Sequence, residues 1–307
     1  MAPTPDSGTI SSPPTLEEML KKNLELSRTD LEYLQDWMRK QPHLPKLTDE
    51  QLVPFLHSNY YSLEKTKTTI ENYFTIRTHA PDMFLNRDAL DPAVKKHLSI
   101  INLGRLSKRD SRGYKIITTR WNNPDPNEME FETSIKVVLM TIEQELREDP
   151  TCPGFIIIMD QRETSMGHIA KSSVSSIKVI LTYIQEATPC RIKELHVIYC
   201  SALMDTILRI IKPFLHKELM SMIHLHSGEM EAFYKIFPKD ILPKDFEGEL
   251  SDLKEIHAAN VKRLETNRSW FLEQDKLLVD ETKRPGKAKS AGEVFGLEGS
   301  FKKLDID

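Results

Sequence analysis

A short apolar segment near the middle of the chain places the strongest constraint on its fold. Residues 155–159, Phe-Ile-Ile-Ile-Met, follow Gly154 and end at Asp160. A short, continuous apolar run rich in β-branched residues is typical of a strand covered on both faces, as in parallel sheets. The run is far shorter than the ~18 apolar residues that a membrane-spanning helix needs. We therefore expect a buried sheet with layers on both sides.

Strand and helix patterns alternate around this run. Strands are predicted at Tyr114–Trp121, Gly154–Met159, Glu194–Tyr199 and Met222–His226. Helices are predicted at Glu130–Arg147, Ser172–Gln185, Met204–Ile211 and Met230–Ile236. This alternation favours an α/β domain with a mostly parallel sheet.

The first part of the chain shows only helical patterns. Thr15 precedes Glu18 with the spacing of a capping box, and Pro42 and Pro45 end a later helix. We therefore predict an all-helical N-terminal domain followed by the α/β domain. The predicted parts are a disordered tail (1–14), the helical domain (15–98), the α/β domain (99–255), a C-terminal helical extension (256–282) and a flexible basic tail (283–307).

Composition excludes several classes of function. The 42 Lys and Arg residues nearly balance the 46 Asp and Glu residues, so no strong positive field favours nucleic acid. Only 11 glycines occur, and they are not clustered within the folded part as a phosphate-binding loop requires. We expect neither a nucleic-acid partner nor a nucleotide cofactor.

The cysteines and the N-terminal residues bear on the compartment. Cys152, Cys190 and Cys200 form no CxxC pair, so neither a disulfide framework nor a zinc ribbon is expected. The first residues show no basic start followed by an apolar run. We expect a soluble, cytoplasmic protein.

Candidate catalytic and metal-binding residues are few. No GxSxG elbow accompanies Asp160, and Cys152 and Cys200 are expected to be buried thiols. His224 and His226 would share one face of a strand, but no third metal ligand lies near them in the sequence. The lone histidines, His168 and His216, are expected to be structural. We therefore predict no catalytic residue, no metal and no cofactor, and hence no enzyme.

Several segments carry a resemblance to a known family. They are Thr48–Leu56, Tyr73–Arg77 with Pro81, Gly154–Asp160, Ile210–Leu215, Met222–His226 and Leu242–Glu249. In order and spacing they resemble the CRAL-TRIO (Sec14-like) lipid-binding family, in the branch that contains the tocopherol and retinaldehyde carriers. The resemblance covers about residues 48–250. The first glycine of the family's closing pair is replaced here by Glu247.

The resemblance implies a hydrophobic pocket enclosed by the sheet and a mobile gate helix at about residues 204–215. The expected pocket residues are Val137, Thr141, Gln144, Phe155, Ile157, Met159, Ile180, Tyr183, Ile184, Ile192 and Leu195. The expected gate residues are Met204, Ile207, Leu208, Ile211, Phe214 and Leu215. One buried hydrogen bond to the ligand could come from Thr141, Gln144, Tyr183, Tyr199 or Ser201. An ordinary buried helix is the alternative interpretation of the gate segment.

The resemblance also bears on phosphoinositide binding. Arg191 and Lys193 match part of the basic cluster of the branch that exchanges lipid against phosphoinositides. The other four basic positions of that cluster hold His57, Asn59, Glu218 and Met222. A polyphosphate head group needs several fixed cations at once, so this departure weakens the phosphoinositide hypothesis.

The leading hypothesis is a monomeric, non-enzymatic carrier. It would bind one isoprenoid, such as a tocopherol, retinoid, carotenoid or terpenoid hormone, and contact membranes transiently. The alternatives are a phosphoinositide-binding membrane adaptor and an enzyme that acts on the bound lipid.

Overall fold

A computed structural model describes residues 12–228 and 230–296 of the chain. Its N-terminal part consists of the helices α1 (Leu16–Lys22), α2 (Arg28–Arg39), α3 (Asp49–Ser58), α4 (Leu63–His79), α5 (Pro81–Phe84) and α6 (Pro92–Ile100). The Thr15 hydroxyl accepts the backbone N–H of Glu18, whose carboxylate accepts the backbone N–H of Thr15, which confirms the predicted capping box. Within the described ranges, every helix is too short or too polar to cross a membrane.

The α/β part alternates strands and helices as predicted. Its elements are β1 (Ile101–Arg105), β2 (Lys115–Trp121), α7 (Phe131–Glu148), β3 (Phe155–Asp160), α8 (Met166–Ala170), α9 (Val174–Glu186), β4 (Ile192–Ile198), α10 (Leu203–Ile211), α11 (Lys217–Ser221), β5 (Ile223–His226) and α12 (Glu231–Ile236). The helices α13 (Leu253–Thr266), α14 (Arg268–Gln274) and α15 (Ala291–Phe295) follow. Single 3-10 turns occupy Lys212–Phe214, Lys239–Ile241, Lys244–Phe246 and Glu281–Lys283.

The strands form one sheet in the order β1-β2-β3-β4-β5. The pairings from β2 to β5 are parallel, and β1 pairs antiparallel to β2, which confirms a mostly parallel sheet. The sequence patterns did not predict β1, which follows α6 directly and contains Gly104. A Cβ at Gly104 would lie 2.8 Å from Cγ2 of Ile256, so the missing side chain lets α13 pack against β1.

The central strand β3 is covered on both faces, as its apolar run predicts. Phe155 and Ile157 join one buried cluster, whereas Ile156 and Ile158 join another on the opposite face of the sheet. Every second side chain of a strand points to the same face. The first face carries the cavity described below, and the second is covered by α12 and the turns that follow it.

The segment from residue 283 to residue 296 differs from the predicted flexible tail. The Arg284 side chain is only 7% exposed and forms ion pairs with Glu71 and Glu281. Phe295 is buried against the hydrophobic cluster of the N-terminal helices, where α15 contacts α4 and α9. Composition indicated a solvated segment, but these few apolar and paired charged groups are enough to dock it. The rest of that predicted tail, and residues 1–11 of the N-terminal tail, lie outside the described residues.

Candidate ligand-binding site

A cavity of about 330 Å³ lies on one face of the sheet. Its floor is formed by Met159 of β3, Leu195 and Val197 of β4, and Ile223 of β5. Met159 pairs with Val197 and Leu195 pairs with Ile223 across neighbouring strands, so the four side chains are contiguous on one face. The volume lies in the range of small-molecule sites, roughly 300–1,000 Å³.

Two helices form apolar walls. From α7 come Phe131, Ser134, Ile135 and Val138, and from α9 come Ile177, Ile180 and Leu181. The α7 residues follow the i, i+3, i+4, i+7 spacing of one helix face. The lining is therefore suited to a hydrocarbon rather than to a charged or strongly polar molecule.

The helix α10 covers the cavity without being buried itself. Met204, Ile207, Ile210 and Ile211 line the cavity. No residue of α10 is buried, although most of its side chains are apolar. A partly exposed apolar helix is typical of a surface that contacts a ligand, a membrane or another protein. The alternative interpretation, an ordinary buried helix, does not fit the exposure of α10.

The segment after α10 is tied to α9 through one glutamine. Gln185 donates from Nε2 to the carbonyl of Phe214, at 3.1 Å, and accepts the backbone N–H of His216, at 2.6 Å. These two bonds attach the segment that follows the C-terminal end of α10 to α9. At the N-terminal end of α10, the Ser201 hydroxyl accepts the backbone N–H of Leu203, at 3.3 Å.

One wall of the cavity carries a buried imidazole. His168 lines the cavity, is 3% exposed and stacks on Trp121 with 4.7 Å between ring centroids. Burial lowers the pKa of His168, so the ring is neutral at pH 7. Its Nδ1 accepts the backbone N–H of Ser165 at 3.1 Å, which places the ring hydrogen on Nε2. Among the described residues, that Nε2 finds no hydrogen-bond partner.

A neutral buried N–H donor without a partner is unfavourable by about 1–3 kcal/mol. A ligand with a hydrogen-bond acceptor at this wall would remove the penalty. The sequence predicts a structural role for His168, because nothing in it indicates that the ring reaches a cavity.

Two segments of the chain match the models of known protein families. Residues 23–94 match the model described as "Pinta-like, UBA domain", and residues 102–248 match the CRAL/TRIO domain. Residues 102–248 therefore form a CRAL-TRIO domain. The second match spans β1 to β5, with the cavity and its cover.

Relatives and a solved structure agree with this assignment. The human "Alpha-tocopherol transfer protein-like" is 27% identical over 240 residues, which cover 77% of this chain and 69% of that protein. "Clavesin-1" of Mus musculus is 28% identical over 246 residues, which cover 78% and 69% respectively. The crystal structure of Sfh5 has the same fold, with a TM-score of 0.53 at 10% identity over 81% of this chain and 98% of that one.

Part of the set of residues predicted for the CRAL-TRIO pocket lines the cavity. These residues are Met159, Ile180, Leu195, Met204, Ile207 and Ile211. Met159 and Leu195 come from the strand face, Ile180 comes from α9, and the other three come from the cover. The cavity residues of α7, together with Trp121 and His168, were not predicted.

The other predicted residues lie outside the cavity lining. Val137, Phe155, Ile157 and Ile192 belong to the neighbouring core, Tyr183 and Ile184 pack with the N-terminal helices, and Leu208, Phe214 and Leu215 lie elsewhere on the gate segment. Thr141 and Gln144 bind Asn260 of α13 instead, since Asn260 donates to the Thr141 hydroxyl and accepts from the Gln144 amide. Their face of α7 therefore points towards α13. Tyr199 and Ser201 are likewise absent from the lining.

The two predicted phosphoinositide ligands surround Tyr60. Arg191 donates from Nε to the carbonyl of His57, at 2.9 Å, and its guanidinium lies 3.9 Å from the centroid of the Tyr60 ring. Lys193 donates to the Tyr60 hydroxyl at 2.7 Å. Burial, with the charge of Arg191, lowers the pKa of His57 to about 4, so His57 adds no positive charge at pH 7. Asn59 is engaged with Phe55 and Thr69.

Proposed function

We propose that the chain is a non-enzymatic carrier for one hydrophobic ligand, an isoprenoid, which it moves through the cytosol or between membranes. The observation that carries the proposal is an apolar cavity of about 330 Å³ under a partly exposed apolar helix. An empty apolar cavity destabilises a protein, and each buried CH₂ of a ligand contributes about 0.8 kcal/mol. The relative named for tocopherol transfer supports an isoprenoid as the class of ligand.

Lipid analysis of the purified full chain tests this function. We expect organic extraction of the native protein, followed by mass spectrometry, to find one isoprenoid per chain. Absence of a stoichiometric lipid, together with no saturable binding of labelled isoprenoids, would contradict the proposal. Turnover of the bound lipid into a product would instead support an enzyme.

The Nε2–H of His168 supports a ligand with an acceptor at one end. We expect His168→Phe to weaken binding of an isoprenoid aldehyde about fivefold, because one hydrogen bond of about 1 kcal/mol is lost. The hydrocarbon with the same skeleton should bind both proteins equally. The ratio of the two affinities is the measurement, since a general structural defect would weaken both. An unchanged ratio would show that His168 does not contact the ligand.

A partly exposed leucine of α10 that does not line the cavity supports loading at a membrane surface. Leu208 lies on α10 but does not line the cavity. We expect Leu208→Glu to slow ligand transfer between vesicles at least tenfold, since burial of one leucine contributes about 1.5–3 kcal/mol. Affinity measured in solution without vesicles should stay unchanged.

A matched control is available on the far side of the sheet. Ile236 of α12 is 46% exposed and lies away from the cavity. Ile236→Glu should leave the transfer rate unchanged. Equal slowing by both substitutions would show that α10 has no special role at the membrane.

The alternative function is a phosphoinositide-binding membrane adaptor, supported by the adjacent side chains of Arg191 and Lys193. Lys193 gives the cleaner test, because Arg191 also holds the His57 carbonyl. For an adaptor, Lys193→Glu abolishes binding to vesicles that contain phosphatidylinositol bisphosphate and leaves ligand uptake unchanged. For a carrier that does not recognise phosphoinositides, Lys193→Glu and the wild type bind these vesicles alike.

A further inference from the structure

Three side chains with metal-binding atoms meet on the face of the sheet opposite the cavity. Glu194 and His196 are two residues apart on β4, so they share a face, and His196 pairs with His224 on β5. One ligand atom from each of the three lies within 4.8 Å of the others. The Oε2 atom of Glu194 is 3.1 Å from Nε2 of His196, and the rings of His196 and His224 stack at 4.8 Å. The sequence showed the two histidines of β5 but not the ligands on β4.

The central imidazole is held in place by its surroundings. His196 is 1% exposed, and the edge of Phe237 packs against it at 4.8 Å between ring centroids. Its Nδ1 lies 2.9 Å from Nε2 of His226. When Nδ1–H donates to His226, the lone pair on Nε2 is directed towards Glu194. Such an outer hydrogen bond fixes the tautomer of a metal-bound histidine.

The carboxylate is also oriented in advance. Arg112 donates to both oxygens of Glu194, at 2.5 and 2.8 Å. A carboxylate has about four lone-pair positions, so these bonds leave room for a metal. His224 is partly exposed, which gives an ion a route from solvent.

We propose that Glu194, His196 and His224 form a binding site for one divalent transition-metal ion, with Zn²⁺ as the best match. Two imidazole nitrogens and one carboxylate oxygen are a usual set of protein ligands for zinc, and the fourth position is left to water. The ion would join β4 to β5, whose other faces carry Leu195 and Ile223 in the cavity floor. The site does not depend on the proposed carrier function.

Titration of the full chain with ZnCl₂ in a buffer without chelators tests the site. We expect one ion per chain by calorimetry, and a rise in Tm, since an ion that binds the folded state stabilises it. Co²⁺ in place of Zn²⁺ should give the visible absorption of a four- or five-coordinate ion. A wild-type chain that binds no stoichiometric ion would overturn the proposal.

Variants assign the ligands. His224→Ala should weaken Zn²⁺ binding at least tenfold and remove the Co²⁺ absorption, and it is the primary variant because His224 is partly exposed. His226→Gln, at the positioning residue, should weaken binding about 10–100-fold and shift the Co²⁺ spectrum. His216→Ala is the matched control, because that exposed histidine lies outside the cluster.

Cysteine binding is the main alternative to distinguish. Cys200 is half-buried near β5, and its backbone N–H donates to the carbonyl of His226. Cys200→Ser should therefore retain one ion per chain. Loss of the ion in Cys200→Ser, with full binding retained in His224→Ala, would contradict the proposed ligands.

Discussion

Leu195→Trp is expected to reduce the affinity for a hydrophobic ligand about a hundredfold. Leu195 lies in the floor of the cavity, which has a volume of about 330 Å³. The larger ring would take the place of about four CH₂ groups of the ligand, and each buried CH₂ contributes about 0.8 kcal/mol. The sum corresponds to about two orders of magnitude in Kd. Fluorescence titration with an isoprenoid measures the change.

A second tryptophan substitution separates a filled cavity from a damaged fold. Ile236→Trp adds the same ring on the exposed side of α12, away from the cavity. It should leave the affinity unchanged, and circular dichroism should show both variants folded. Retention of full affinity in folded Leu195→Trp would place the ligand elsewhere and would remove the main support for the carrier proposal.

Glu145→Gln is expected to lower the free energy of unfolding by about 3–5 kcal/mol. The Glu145 side chain is fully buried on α7 and forms ion pairs with Lys115 and Arg105, each at 2.9 Å, and with Arg263. An amide would leave these cations buried without their shared anion. The loss is large because the three cations, which come from β1, β2 and α13, are themselves buried.

Denaturant unfolding measures this loss, with Glu17→Gln as the control. Glu17 pairs with Arg28 at the surface, where both side chains are more than half exposed. Exposed pairs contribute about 0–1 kcal/mol, so the control should remain close to the wild type. Equal losses in the two variants would show that the buried cluster contributes no more than a surface pair.

The same carboxylate predicts a dependence of stability on pH. Burial by itself would raise the pKa of Glu145, but Lys115, Arg105 and Arg263 lower it to about 2, from 4.5. A carboxyl group with a lowered pKa stabilises the fold above its unfolded pKa, and this contribution is lost as the pH falls through the folded pKa. The wild type should therefore lose more stability than Glu145→Gln between about pH 4.5 and 2.

Local patterns in the sequence were sufficient for most of the secondary structure. The apolar run of β3, the alternation in β4 and the capping box at Thr15 each depend on residues close together in the chain. The order of these elements, with the family segments, led to the α/β fold and the lipid-binding family. The strand β1 was missed because Gly104 weakens its pattern and because its helical neighbour α13 is distant in sequence.

The composition of the binding site depended on contacts between distant segments. Both sides of α7 are suited to burial, and packing turns Ile135 and Val138 to the cavity while Thr141 and Gln144 face Asn260. Likewise, the ring of His168 on α8 is buried against Trp121 in the folded chain, and its Nε2–H finds no partner there. The spacing of apolar residues in the sequence is enough to predict that a helix has an apolar side, because that spacing involves residues only three or four positions apart. Which side meets the ligand follows from interactions over a hundred residues apart, and these arise only in the folded chain.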